Sequence, residues 1–97
     1  MTIEETQEKV RDMWQRTKME ASDFELLLFF MEECGEFSEA LRKHVRGKES
    51  DRKIDIEKEA GDVLFNFVAL ANRFNIDLSG GLARSMKTIE DRYCKTV

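Results

Sequence analysis

Leu26-Leu27-Leu28-Phe29-Phe30-Met31 is a run of six apolar residues in a chain of 97. Ser22 and Glu25, just before it, have the S-x-x-E spacing of a capping box, so the run belongs to a helix. At about 100° per residue, six successive apolar side chains cover every side of that helix. A helix that is apolar all round has to be covered all round. A chain this short buries only about two-thirds of its unfolded surface and has few other helices to spare. The run therefore points to an all-α fold whose cover is completed by further copies, as a homodimer or homotetramer. The alternative is that the first helix folds across it and some apolar surface stays wet.

Caps and apolar spacing divide the rest of the chain. Thr2 and Glu5 form a second capping box, ahead of a helix with Ile3, Val10, Met13 and Trp14 as its apolar stripe. The helix containing the apolar run extends to about Arg46, and Gly47 supplies its stop. The segment GKESD from Gly47 reads as a loop. A third helix is expected from about Arg52 to Phe74. A fourth, capped by Asp77, is expected to run to about Tyr93 with Leu78, Leu82, Met86, Ile89 and Tyr93 on its apolar side. Gly80 and Gly81 weaken its first turn by roughly 1 kcal/mol each relative to alanine. No segment alternates with period two, so no strand is expected, and residues 1–97 read as a single domain.

The charge balance narrows the partners. A net charge of −4 argues against binding polymeric nucleic acid, which needs a basic surface to displace counterions. It leaves a nucleotide substrate open, because a bound metal ion inverts local charge. Leu26 to Met31 is the longest apolar stretch and is far too short to span a membrane. The acidic start MTIEETQEKVRD has no signal-peptide pattern. Cys34 and Cys94 match no zinc spacing and read as free thiols. Together these features predict a cytoplasmic protein.

Four acids stand where core residues should be. On a helical wheel Glu33 and Glu36 share a face with Leu26, Phe29, Phe37 and Ala40. Glu59 and Asp62 share a face with Val63, Asn66 and Leu70 in the same way. Each buried carboxylate costs several kcal/mol, and like charges close together repel. Four of them in one bundle would have to take up protons or hold a cation. Oxygen-only donors suit a hard divalent ion, Mg²⁺ or Mn²⁺. The alternative is that these acids lie on a solvated face. Di-iron chemistry would need Glu-x-x-His motifs. His44, the one histidine, is not three residues after an inward glutamate.

The run Glu32-Glu33-Cys34-Gly35-Glu36 followed by Glu59-Ala60-Gly61-Asp62 resembles the E-E-x-x-E … E-x-x-D signature of the MazG-type nucleotide pyrophosphohydrolases. The resemblance is strongest from about Phe29 to Phe74. It implies a four-helix MazG-like bundle that oligomerises and cleaves (deoxy)nucleoside triphosphates to monophosphate and pyrophosphate with Mg²⁺. It also implies Glu33, Glu36, Glu59 and Asp62 as metal ligands, with Glu32 beside the metal to orient or deprotonate water. Nucleotide-pool sanitation is the role it suggests. A phosphoribosyl-ATP pyrophosphohydrolase on the same scaffold and a non-catalytic helical interaction module are the rival readings.

Four further residues are candidates for substrate contact. Asn66, one turn beyond Asp62, reads either as a ligand for ribose, phosphate or metal-bound water or as a satisfied core amide. Trp14 reads either as a base-stacking residue or as core. The resemblance implies basic residues in the last helix, which points to Lys87 and Arg92. Many relatives carry an asparagine among those basic residues, where this chain has Ile89-Glu90-Asp91-Arg92-Tyr93.

Overall fold

The computed structural model describes residues 1–47 and 55–94, and among these the chain is helical with no strand. The caps set the helix starts. The Thr2 hydroxyl accepts the Glu5 backbone N–H at 3.0 Å and the Glu5 carboxylate accepts the Thr2 N–H at 3.1 Å, opening α1 (Ile3–Thr17). Ser22 and Glu25 repeat the box and open α2 (Asp23–Val45). Gly47 follows the Arg46 cap with φ 66°, the left-handed conformation that suits glycine past a helix end.

The third helix is described from an aspartate cap onward. Residues 48–54, which include most of the expected loop and the expected start at Arg52, lie outside the described residues. Asp55 accepts the Lys58 N–H at 3.0 Å and opens α3 (Ile56–Arg73). Asp77 does the same for the Gly80 N–H at 3.1 Å and opens α4 (Leu78–Tyr93). A side chain on Gly80 would place its Cβ 2.6 Å from Asp77 Oδ2, so this glycine makes room for the cap it follows.

Helices α2 and α3 form an antiparallel hairpin. Arg73, at the end of α3, donates to the Asp23 carboxylate and to the Ala21 carbonyl, each at 2.8 Å, beside the start of α2. Midway, the rings of Phe30 and Phe67 meet with centroids 5.6 Å apart. Helix α1 packs across α3 through Val10, which joins Val68 and Ala69 in the core, with Trp14, Phe65 and Leu78 at its edges.

A buried amide ties α1, α3 and α4 together. Gln7 Nε2 donates to Asn72 Oδ1 at 3.0 Å and to the Ile76 carbonyl at 2.8 Å. Gln7 Oε1 accepts the Leu78 N–H at 3.1 Å, and Asn72 Nδ2 donates to the Gln7 carbonyl at 3.0 Å. Both functional groups of Gln7 are thus satisfied, which makes its burial tolerable.

Elsewhere the single chain is open. Its radius of gyration is 16.5 Å, against about 12.5 Å for a compact domain of this length. Helix α4 has no buried residue, and Leu82, Met86, Ile89 and Tyr93 along it are all exposed. In the apolar run of α2, Leu26 is buried and Phe29 and Phe30 are half-buried, while Leu27, Leu28 and Met31 are exposed. The all-round cover that this run calls for is not supplied by the described residues.

Candidate metal centre

The antiparallel register of α2 and α3 sets Glu33 opposite Glu59 and Asp62. One carboxylate oxygen from each of the three lies within 4.8 Å of the others. All three side chains are half-buried. Glu33 Oε2 and Glu59 Oε2 are shut off from solvent and have no hydrogen-bond donor. A buried carboxylate oxygen without a donor bears its full desolvation cost, so two of them in one cluster mark an electrostatic deficit.

The titration of Glu33 reports that deficit. Burial pushes its carboxyl above the ordinary glutamate value, and the charges of Glu36, Asp62 and Glu59 push it further. Lys58 offsets part of the deficit. Its ammonium donates to Asp62 Oδ2 at 2.9 Å, and its own pKa is raised by that hydrogen bond, by the Asp62 charge, and by Glu59 and Glu33. Lys58 was not among the residues singled out from the sequence. The signal available was its i, i+4 spacing to Asp62.

The donor set fits a hard divalent cation. It consists of oxygens only, two of them are orphaned, and three elements of negative charge are held close together by packing. Glu36 is exposed and stands outside the three-carboxylate group, although it is near enough to act on Glu33. Glu32 is exposed one residue before Glu33.

The remaining candidates lie on α1, α3 and α4. Asn66 donates its amide to the Asp62 backbone carbonyl at 2.9 Å, so half of its side chain is used locally. Lys87 is exposed and paired with Asp91 at 3.0 Å, and Arg92 is exposed near the end of α4. Trp14 is half-buried, packing on the core while lining a separate pocket of about 270 Å³. Arg11, Gln15, Asn72 and Arg73 share that pocket. Sequence periodicity did not single these four out, because the pocket depends on helices brought together across 60 residues.

The family model of the MazG nucleotide pyrophosphohydrolase domain matches residues 21–97. The chain belongs to that family. The matched span of this MazG domain contains all the acids discussed, from Glu32 to Asp62, and membership makes nucleotide pyrophosphate hydrolysis the reaction class. All of α1 precedes the match. No curated protein and no solved structure gave a significant match. Among the described residues no helix is long and apolar enough to cross a membrane.

Proposed function

We propose that this MazG domain is a Mg²⁺-dependent hydrolase that cleaves (deoxy)nucleoside triphosphates to monophosphate and pyrophosphate. The observation that carries the reading is the pair of buried, donor-less carboxylate oxygens on Glu33 and Glu59, next to Asp62. Such a group is stable at neutral pH only beside a cation, and a triphosphate is itself an anion that carboxylates alone would repel. When bound, Mg²⁺ (or Mn²⁺) supplies the charge that neutralises the phosphates and acidifies water.

Glu33, Glu59 and Asp62 are the residues we assign to hold the ion, with Glu36 completing the set from the exposed side. Glu32 is assigned to orient the attacking water and accept its proton. Asn66 Oδ1 is left free by the amide's bond to Asp62 and can accept from a ribose hydroxyl. Trp14 is assigned to the base. Lys87 and Arg92 are assigned to the phosphates, reached from α4 of the same or a neighbouring copy.

The same reading includes a homo-oligomer. The chain exposes 7997 Å², where a compact monomer of this mass would expose about 5,800 Å². A groove of about 400 Å³, lined chiefly by apolar side chains including Ile3, Leu64, Phe67 and Leu82, runs beside the unpacked α4. Exposed large apolar side chains gathered beside such a groove, among them Leu64, Phe67, Leu82 and Met86, mark an association surface. A second copy, with its own α4 stripe, would cover it at the scale of an obligate dimer.

The test is pyrophosphate release from a panel of deoxy- and ribonucleoside triphosphates with and without Mg²⁺, alongside phosphoribosyl-ATP. Metal-dependent release from the common triphosphates is expected. Release only from phosphoribosyl-ATP, or none from any nucleotide, would overturn the reading. Light scattering should give a mass of two or four chains.

A further inference from the structure

The pocket lined by Trp14 has an unbalanced set of hydrogen-bonding groups. Arg11, Trp14 and Gln15 sit at i, i+3 and i+4, on one face of α1. Asn72 and Arg73 close the pocket from the end of α3. Arg11, Arg73 and the Trp14 indole can only donate. The Asn72 carbonyl already accepts from Gln7 at 3.0 Å and from Arg11 at 3.3 Å. Gln15 is left as the one side chain there with an acceptor to offer, and no acid lines the pocket. Arg73 is partly committed to Asp23 and Ala21, whereas Arg11 gives one N–H to Asn72 and keeps the rest of its guanidinium.

The pocket is set at a fixed distance from the acids. Leu26 lines it seven residues before Glu33 on α2, and Ala69 lines it seven residues after Asp62 on α3. Seven helical residues rise about 10 Å. Since the hairpin is antiparallel, both displacements run the same way. That offset is about the reach of a nucleoside with its first phosphates.

We propose that this pocket holds the base of the nucleotide and selects bases whose edge carries oxo groups over those carrying amino groups, with Arg11 as the specificity-determining residue. The proposal rests on the nucleotide reading above and adds what that reading leaves open. An indole face offers any base a stacking surface. A donor-rich wall is complementary to carbonyl oxygens, and an exocyclic amino group set against it would leave donors facing donors. A site built around hydrogen bonds rejects the analogue that cannot make them more strongly than an apolar pocket does. The side chains that would make this choice come from α1, all of which precedes the residues matched by the family model, while the acids lie within that match.

Trp14 is the one tryptophan, so its fluorescence reads this pocket directly. The full chain is titrated in Mg²⁺ with dIMP and dAMP, and with dUMP and dCMP, two pairs that exchange an oxo for an amino group. In each pair the oxo member is expected to bind at least about tenfold more tightly, a difference of about 1.4 kcal/mol. Arg11→Ala should bring each pair to within about twofold. Arg11→Lys should do the same while keeping the charge, because an ammonium lacks the fork. Equal affinities in the unsubstituted protein, or an Arg11→Ala loss uniform across all four nucleotides as for a phosphate contact, would overturn the proposal. Triphosphate turnover is scored separately. Pyrophosphate release without pairwise preference sinks the pocket assignment alone, and pairwise preference without release sinks the reaction alone while supporting the pocket.

Discussion

At one end of the α2–α3 hairpin, Glu33, Glu59 and Asp62 crowd together and two of their oxygens have no donor. At the other, about two helical turns away, Arg11, Arg73 and Trp14 present more donors than the local acceptors can take. The two ends differ in kind: buried acceptors without donors at the first, solvent-exposed donors in excess at the second. Between them, Phe30 and Phe67 pack in the ordinary way. The proposed nucleotide would answer both ends, its phosphates held through a metal ion at the first and its base set against the donors at the second.

The acidic end should be the more sensitive to substitution. Asp62→Asn or Glu33→Gln is expected to lower turnover by more than the 10- to 100-fold typical of losing a residue that merely supports a metal ligand. Circular dichroism should show the helices intact, and steady-state pyrophosphate release measures the loss. Retained turnover in either variant would remove the distinction between the two ends.

Next in size is the response to metal. At 100 times its dissociation constant a bound ion adds about 2.7 kcal/mol, which for a domain of this length raises the melting temperature by about 10 °C or more. Thermal unfolding with Mg²⁺ and with chelator measures it. Gln7→Leu should cost about 2 kcal/mol, because the Ile76 carbonyl and the Leu78 N–H lose their partner at the junction of α1, α3 and α4. Denaturant unfolding would read this, and a neutral result would mean that the junction is not held by that amide.

The pH dependence is smaller and has a defined sign. The carboxyl of Glu33 titrates above its ordinary value of 4.5 because of burial first and then its acidic neighbours. Its stabilising contribution is therefore complete below that pH and is lost as the pH rises through the elevated folded value. In chelator, the melting temperature of Glu33→Gln should match the unsubstituted protein near pH 4.5 and exceed it by several degrees at pH 7. Mg²⁺ should abolish the advantage. The smallest expected effect is that of Lys58→Met. It removes a largely exposed, solvent-screened partner of Asp62, so thermal unfolding of the metal-free protein should barely change.

What was legible in the sequence was local. Thr2 with Glu5, Ser22 with Glu25, and Asp77 each cap within three or four residues, so spacing alone located three helix starts. The Asp55 cap of α3 was not legible, because apolar periodicity does not see its side chain taking the Lys58 N–H. Glu33, Glu59 and Asp62 were legible because acids at i, i+3 on an apolar stripe demand an explanation. Glu36, about 60° around the wheel from Glu33, is exposed because the face covered by α3 is narrower than the stripe. The Gln7–Asn72 junction and the donor-rich pocket were not legible, since each joins residues some 65 positions apart and depends on how α1 crosses α3.

The central claim is that the acids between α2 and α3 require a divalent ion. Thermal unfolding at pH 7 with increasing Mg²⁺, run on the unsubstituted chain and on Glu33→Gln/Glu59→Gln, tests it without reference to any substrate. A saturable, Mg²⁺-dependent rise in the unsubstituted chain is expected, absent from the double variant, which should itself be the more stable of the two in chelator. A melting temperature indifferent to Mg²⁺, with the double variant no more stable than its parent, would contradict the account.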